Sequence, residues 1–142
     1  MQPNQNVTQY SVPVKNEPGQ LLKIAKTLAK EQVNIIGITS ATIGDVGYVR
    51  FLAEKSLTVR KVLEDQGFQV FETPVFRVAL SNKPGELARM AAVLEENGVN
   101  IENIYGTTNG GEHAHLVLAV NRPEKAEKLL AKFAEGLVLA NR

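Results

Sequence analysis

The sequence lacks several features that would each indicate a particular class of function. It contains no cysteine, and hence no disulfide bond, thiolate nucleophile or cysteine metal ligand. It has no excess of either charge, because 16 basic residues balance 15 acidic ones and the formal net charge is +1. A balanced charge provides no field that would attract nucleic acid or an anionic membrane. Finally, no apolar run approaches the length of a transmembrane helix.

The remaining composition is that of an ordinary globular protein, with 44% hydrophobic and 22% charged residues. A length of 142 residues accommodates one domain of average size or two small ones. The N-terminal residues Met-Gln-Pro-Asn-Gln-Asn are polar and uncharged, without the apolar core of a signal peptide. We therefore expect a cytoplasmic protein.

A repeat divides the sequence into two similar halves. The segment Asn-Glu-Pro-Gly-Gln-Leu-Leu begins at Asn16, and Asn-Lys-Pro-Gly-Glu-Leu-Ala begins at Asn82, a shift of 82 − 16 = 66 residues. The same shift continues without any insertion: Val-Asn-Ile at 33–35 matches 99–101, and Leu-Ala at 52–53 matches 118–119. Twice the shift accounts for nearly the whole chain, which indicates a duplication. We predict two domains, over residues 7–71 and 73–140.

Hydrophobic periodicity predicts the same element order in both halves. Alternating apolar residues indicate strands, and apolar residues at helical spacing indicate amphipathic helices. The predicted first strands are 7–14 and 75–80, and each is followed by a helix after Pro-Gly. The second strands are predicted to begin at Val33 and Val99, and the third strands to cover 48–53 and 114–120. The second helices are predicted to begin near Ser56 and Pro123, and the last strands to cover 68–71 and 137–139. The resulting fold class is α+β: two tandem ferredoxin-like βαββαβ units, each an antiparallel sheet with both helices on one face.

The turn between the first strand and the first helix is the most informative segment. Pro18 suits the first helical position, and Gly19 lets another molecule approach the backbone closely. The unpaired amides and the positive dipole end of the helix would favour a carboxylate there. Asn16 or Asn82 could orient such a ligand or simply stabilise the turn. Pro-Gly before a helix is also common as turn chemistry without any ligand.

Both halves resemble the ACT domain family. The resemblance depends on four motifs in a fixed order: Asn-x-Pro-Gly-x-Leu, alanines and leucines at helical spacing, Val-Asn-Ile, and a glycine turn. ACT domains are small-molecule sensors, usually of amino acids, and often belong to metabolic enzymes. The resemblance implies ligand sites between paired domains, formed by the first loop of one domain and the start of the second strand of its neighbour. The residues it nominates are Asn16, Pro18, Gly19, Gln20, Asn34 and Ile35 in the first half, and Asn82, Pro84, Gly85, Glu86, Asn100 and Ile101 in the second.

The two halves differ within the nominated loop. Glu17 corresponds to Lys83, and Gln20 corresponds to Glu86. Two sites in the chain therefore need not have equal affinity, and one of them could be a structural relic.

Two segments are similar to functional motifs but lack the further residues that those motifs need. His113 and His115 alternate on a strand beside Glu112, but the sequence has no other histidine to complete a zinc site or to suggest a catalytic constellation. The segment 47–51, Gly-Tyr-Val-Arg-Phe, is similar to an RNA-binding motif that also requires aromatics on a second strand and a basic surface, and the matching part of the second half lacks them. We expect no metal, no cofactor, no catalytic residue and no nucleic-acid partner.

These observations favour a non-catalytic regulatory protein that binds an amino acid. Third strands that are apolar on both faces suggest a homodimer or a larger partner, or else a partly exposed central strand. The alternative function is that of a regulatory subunit controlling a separate amino-acid biosynthetic enzyme, as the small subunit of acetolactate synthase does. That family has a similar loop and a long further C-terminal region, which this sequence does not show. A structural relic that binds nothing is the third possibility.

Overall fold

A computed structural model describes residues 6–133 and 136–140. The chain divides into two compact units, an N-terminal unit at Asn6–Thr73 and a C-terminal unit at Pro74–Ala140. The elements of the N-terminal unit are β1 (Val7–Lys15), α1 (Gln20–Lys30), β2 (Gly37–Ile43), β3 (Val46–Glu54), α2 (Leu57–Asp65) and β4 (Phe71–Thr73). Those of the C-terminal unit are β5 (Val75–Ser81), α3 (Glu86–Glu96), β6 (Ile101–Thr107), β7 (His113–Val120), α4 (Pro123–Phe133) and β8 (Gly136–Ala140).

Each unit is built on one four-stranded antiparallel sheet. The strand order is β2-β3-β1-β4 in the N-terminal unit and β6-β7-β5-β8 in the C-terminal unit. Alternate residues of the strands join residues of both helices in a single core cluster in each unit, so both helices cover the same face. The predicted pair of ferredoxin-like units is confirmed.

Spacing of apolar residues explains why the helices lie on the sheets. Ile24 and Leu28 of α1, four residues apart, are buried against the N-terminal sheet, as are Val59 and Leu63 of α2. Each such side chain contributes about 1.5–3 kcal/mol on full burial. Met90 and Leu94 of α3 and Ala126 and Leu130 of α4 occupy the corresponding positions in the C-terminal core. The helix α2 begins where the hydroxyl of Ser56 accepts a hydrogen bond from the amide of Thr58.

Two predicted strand boundaries in the N-terminal unit are wrong. The second strand begins at Gly37 rather than at Val33, because Val33 and Ile35 pack on the core from an irregular segment before the strand. The last strand covers Phe71–Thr73 rather than 68–71, and Phe68 packs on the same core from a loop. In both places apolar residues fill the core without joining the sheet, and periodicity does not distinguish the two arrangements.

The registers of the two sheets reveal one extra residue in the C-terminal unit. Tyr10 lies opposite Phe51, and Phe76 lies opposite Leu118. Tyr10 and Phe76 are 76 − 10 = 66 residues apart, whereas Phe51 and Leu118 are 118 − 51 = 67 apart. The structural counterpart of Phe51 is therefore Leu118, and the prediction of a repeat without insertion is wrong.

The extra residue lies at the tip of the hairpin that joins the second and third strands of the C-terminal unit. Ile38 pairs with Phe51 and Ile104 pairs with Leu118, so the shift is still 104 − 38 = 66 in the second strand. A slip of one residue within a strand would move every core side chain to the other face, whereas a hairpin tip absorbs it. The identical Leu-Ala pairs at 52–53 and 118–119 therefore occupy opposite faces: Leu52 is buried on the helix-free face, and Leu118 belongs to the core.

Candidate functional site

The asparagine of each Asn-x-Pro-Gly loop connects the loop to the neighbouring hairpin tip. In the N-terminal unit the amide of Asn16 donates to the carbonyl of Asp45 at 3.0 Å, and its side-chain Nδ2 donates to the carbonyl of Gly44 at 3.1 Å. Asn82 makes the same two bonds, to Glu112 at 2.8 Å and to Gly111 at 3.0 Å. The side-chain amides therefore act within the fold, which favours their turn-stabilising role over a ligand-orienting one.

The Pro-Gly dipeptides form a turn ahead of each helix. Gly19 is the N-cap of α1 with φ 96° and ψ −10°, and Gly85 is the N-cap of α3 with φ 90° and ψ −12°. These angles match the third position of a type II turn, in which proline is favoured at the second position. The expectation that Pro18 occupies the first helical position is therefore wrong, because the positive φ of glycine separates the proline from the helix.

The first turns of α1 and α3 leave backbone amides without intrahelical acceptors. The first intrahelical bonds are those from Lys23 to the carbonyl of Gly19 at 3.0 Å and from Arg89 to the carbonyl of Gly85 at 2.9 Å. Among the described residues, no side chain caps either helix. In the C-terminal unit the turn itself uses one amide, since Glu86 donates to the carbonyl of Lys83 at 3.3 Å.

The charges around the two helix starts differ. Gln20 donates from Nε2 to the Oε1 of Glu17 at 3.0 Å, so the first residue of α1 carries no charge. Glu86, the first residue of α3, pairs with Arg89 at 2.9 Å, and its side chain is 22% exposed. The C-terminal loop thus already holds a carboxylate of its own at the positive end of the helix dipole.

Within one unit, the nominated loop and the nominated second-strand residues are not brought together. Lys15, beside the loop, lies opposite Val46 at one end of β3, whereas Gly37 at the start of β2 lies opposite Leu52 near the other end. The same separation holds for Asn82 and Asn100 along β7. A site that combines the two segments therefore needs contributions from two domains.

The nominated second-strand residues divide into exposed and packed ones. Asn34 and Asn100 are exposed. Ile35 and Ile101 are partly buried against their own cores, which gives them a structural role in each unit. The backbone of Asn100 is held by Asn121, whose Oδ1 accepts from the amide of Asn100 at 2.9 Å.

Exposed apolar side chains lie on the first helix and on an edge strand of each unit, and they were not predicted. Leu21 and Ile38 are 49% and 46% exposed in the N-terminal unit, and their counterparts Leu87 and Ile104 are 54% and 38% exposed in the C-terminal unit. The strands β2 and β6 are the outermost of their sheets. A signal was present in the sequence, since Ile38 and Ile104 match in the repeat and two adjacent leucines follow Gln20 in α1.

A family model for the ACT domain pair matches residues 5–137 of the chain. This chain belongs to the ACT domain pair family. No curated protein matches the sequence. This match confirms the resemblance that was inferred from the Asn-x-Pro-Gly loops, the apolar helix residues and the Val-Asn-Ile segments. The order of strands and helices described above is that of an ACT pair.

Solved structures share the architecture of this ACT pair. Protein BT0572 from Bacteroides thetaiotaomicron is 29% identical, with a TM-score of 0.83 over 94% of this chain and 93% of that one. The ligand-free regulatory subunit of aspartate kinase from Thermus thermophilus is 18% identical, with a TM-score of 0.68 over 92% of this chain and 93% of that one. Aspartate kinase from Synechocystis is 18% identical, with a TM-score of 0.67 over 91% of this chain but 25% of that one.

Tyr48, Arg50, His113 and His115 lie on the helix-free faces of the two ACT units, whereas Val49 and Phe51 belong to the N-terminal core. His113 and His115 pair with Ser81 and Ala79, and the described residues contain no group of three or more His, Cys, Asp and Glu that could hold a metal ion. The guanidinium of Arg50 stacks 3.9 Å from the ring centre of Tyr48. In the part of the chain that the structure describes, no helix is long and apolar enough to cross a membrane.

Proposed function

We propose that this ACT pair is a non-catalytic regulatory protein that binds an amino acid where two ACT domains meet. The observation that carries the proposal is the separation of the nominated segments within a unit. The Asn16 loop and Asn34 occupy opposite ends of one sheet, so a site that uses both must join the loop of one domain to the second strand of another.

The loop supplies the chemistry for the ligand's carboxylate. Uncapped amides at the start of α1 and the positive dipole end of the helix favour an anion, without a competing acidic residue in the first turn. The exposed amide of Asn34 has hydrogen-bonding groups of both kinds for a ligand held by the facing domain. In this scheme Asn16 and Asn82 position the loops, Pro18 and Pro84 set the turns, and Gly19 and Gly85 leave room for the ligand.

A homodimer in the cytoplasm is the assembly that we propose. Ile38 and Ile104 are exposed apolar residues on β2 and β6, each of which pairs with one strand only among the described residues. A sheet edge with an adjacent apolar surface is suited to pairing with another copy of itself. Ligand binding across such an interface would favour one arrangement of the domains over another.

A second candidate function is control of a separate metabolic enzyme by direct binding. The specific observation in its favour is that this fold forms one quarter of the Synechocystis aspartate kinase chain. A free-standing ACT pair would act on such an enzyme as a subunit, in the manner of the small subunit of acetolactate synthase. Co-purification of a stoichiometric enzyme partner would support this second function.

A thermal-shift screen of the purified chain against the 20 amino acids tests the first function. A ligand at one hundred times its dissociation constant stabilises the fold by about 2.7 kcal/mol. The variants Asn34→Ala and Asn100→Ala change exposed side chains and should reduce the shift while leaving the unliganded melting temperature unchanged. Glu96→Ala, also exposed, serves as the matched control. Absence of a shift with every amino acid would rule out the proposal.

A further inference from the structure

Two asparagines of the chain, Asn97 and Asn109, are followed directly by glycine. Asparagine is one of the thermolabile residues of proteins, because the backbone nitrogen of the next residue can attack its side-chain carbonyl carbon, Cγ. A glycine in the next position has no Cβ and leaves that nitrogen unhindered. By sequence alone the two positions are therefore equally reactive, and only their surroundings in the fold distinguish them.

Asn97 is held by the last turn of α3. It is the C-cap of that helix, and its side-chain Nδ2 donates to the carbonyl of Val93 at 2.8 Å. The backbone amide of Gly98 donates to the carbonyl of Glu95 at 2.9 Å. The nitrogen that would leave and the nitrogen that would attack are thus both bonded to the preceding helical turn. Reaction at Asn97 requires the end of the helix to open first.

Asn109 is exposed at the tip of the β6–β7 hairpin, which spans residues 108–112. The backbone amide of Gly111 donates to the Oδ1 of Asn109 at 3.0 Å. This hydrogen bond points at the oxygen on which negative charge develops when Cγ is attacked, and it would stabilise that charge. The amide of Gly110, which would attack, donates to the Oγ1 of Thr108 at 3.1 Å. Both bonds join residues of the tip only.

We propose that Asn109 is a site of spontaneous deamidation in the folded protein. The nitrogen of Gly110 forms a bond to Cγ of Asn109, and the bond from Cγ to Nδ2 breaks. Nδ2 leaves as ammonia and takes the proton of the Gly110 amide. Water then opens the resulting cyclic imide at one of its two carbonyl carbons, which leaves either aspartate or isoaspartate. Water is the only co-reactant, and nothing is oxidised or reduced.

This modification would change the support of the Asn82 loop. Asn82 donates to the carbonyls of Glu112 at 2.8 Å and Gly111 at 3.0 Å, both of which belong to the same tip. Isoaspartate lengthens the main chain of the tip by one carbon atom, and either product adds a carboxylate to a tip that already contains Glu112. Gly44-Asp45, at the tip of the N-terminal hairpin, includes no asparagine. The bonds of Asn16 should therefore be unaffected.

Incubation of the full chain at mildly alkaline pH tests the site. Cleavage after glutamate produces the peptides 97–102 and 103–112, each with one Asn-Gly sequence, and mass spectrometry measures the exchange of NH2 for OH in each. We expect Asn109 to react about tenfold faster than Asn97 or more, because hydrogen bonds to α3 hold the latter. The chain unfolded in guanidinium chloride is the control, in which both positions should react at similar rates.

Two results would overturn the proposal. One is a similar rate at Asn97 and Asn109 in the folded chain, and the other is an Asn109 that stays intact while the unfolded chain reacts. Asn109→Gln is the matched variant, because glutamine would have to close a larger ring. Deamidation of peptide 103–112 should stop in this variant. An unchanged rate there would place the reaction at Asn103 and contradict the proposal.

Hydrogen exchange measures the effect on the loop. In the deamidated chain the backbone amide of Asn82 should exchange about tenfold faster than in the fresh chain, whereas that of Asn16 should keep its rate. The Asn109→Gln chain, incubated in the same way, should keep both rates. An unchanged rate at Asn82, or an equal increase at Asn16, would contradict the effect on the loop. No ligand takes part, so these outcomes are independent of the proposed amino-acid binding.

Discussion

The side-chain amide of Asn16 donates a hydrogen bond to the carbonyl oxygen of Gly44 across 3.1 Å and thereby joins the first loop to the hairpin tip. Asn82 and Gly111 repeat the contact at 3.0 Å in the C-terminal unit, even though the hairpin there is one residue longer. The hydrogen bond from the asparagine side chain to the hairpin tip is therefore present in both units, although the two hairpins differ in length. This identifies both asparagines as residues that hold the loop in position for the proposed ligand.

Replacing Asn16 by alanine should lower the free energy of unfolding by about 0.5–1.5 kcal/mol, the net contribution of one hydrogen bond. Asn16→Asp should cost a similar amount, because a carboxylate cannot donate to the Gly44 carbonyl. Urea denaturation with Asn34→Ala as the exposed control measures both effects. If Asn16→Ala and Asn34→Ala were equally stable, the contact would contribute nothing to the fold.

Substitutions at Gly19 should separate backbone strain from steric contact. A Cβ at this position would meet no atom of the described residues within 4 Å apart from its chain neighbours, so the φ of 96° is what opposes a side chain. Gly19→Ala should cost about 1–2 kcal/mol, and Gly19→Asn should cost less because asparagine enters the left-handed region more readily. Chemical denaturation of the two variants makes the comparison. An asparagine variant less stable than the alanine variant would argue against backbone strain as the cause.

The stability of the N-terminal unit should fall in alkaline solution because of Tyr10. Burial raises the pKa of its phenol above the ordinary value of 10.0, with Glu72 adding to the rise and the backbone hydrogen bond with Ser56 opposing it. The folded chain thus holds the proton more tightly than the unfolded chain does. The resulting stability is fully present below pH 10 and is lost as the pH rises through 10 toward the folded pKa.

Tyr10→Phe isolates this contribution. The variant loses the hydrogen bond from the amide of Ser56 to the phenol oxygen, at 3.0 Å, and should be less stable than the wild type at neutral pH. Unfolding free energies measured at about pH 8 and about pH 10.5 should then fall less in the variant than in the wild type. Equal decreases in the two proteins would show that other groups cause the alkaline loss.

The register of the C-terminal unit predicts unequal effects at adjacent positions of β7. Leu118 is fully buried in the core, so Leu118→Ala should cost about 2–5 kcal/mol. Val117 lies on the other face and is partly exposed, so Val117→Ala should cost distinctly less. Denaturant midpoints of the two variants test this order. The reverse order would restore the alignment in which Phe51 corresponds to Val117.

Much of the fold could be predicted because the spacing of apolar residues indicates the same order of strands and helices in both halves of the repeat. Ile24 and Leu28 or Met90 and Leu94 define helix faces, and alternation through Tyr10 and Val12 defines a strand. The start of β2 and the extra hairpin residue could not be predicted. Val33 and Ile35 are apolar whether they belong to a strand or to a packed loop, and a chance identity at Leu118 concealed the insertion.

The candidate site could be predicted only in part. The loop residues from Asn16 to Gln20 and from Asn82 to Glu86 form the predicted turns at helix starts, but proline takes the turn position ahead of the glycine N-cap. The partner of Asn16 at the hairpin tip is a backbone carbonyl, and a sequence carries no pattern for such an acceptor. A cavity of about 400 Å³ beside Phe68 is lined by residues from 13–23, 45–46 and 66–68, three stretches that are distant in sequence, so it becomes visible only in three dimensions.

The longer tip of the β6–β7 hairpin is also a suitable position for inserting additional residues. Gly110 has a φ of 88°, and within the described part of the chain no atom beyond its two neighbours lies within 4 Å of the position that a Cβ would take. Chain added at this tip extends into open solvent without shifting the alternation of either adjoining strand. A short peptide inserted there would carry a fluorophore or attach the protein to a sensor surface without altering the interior of either half.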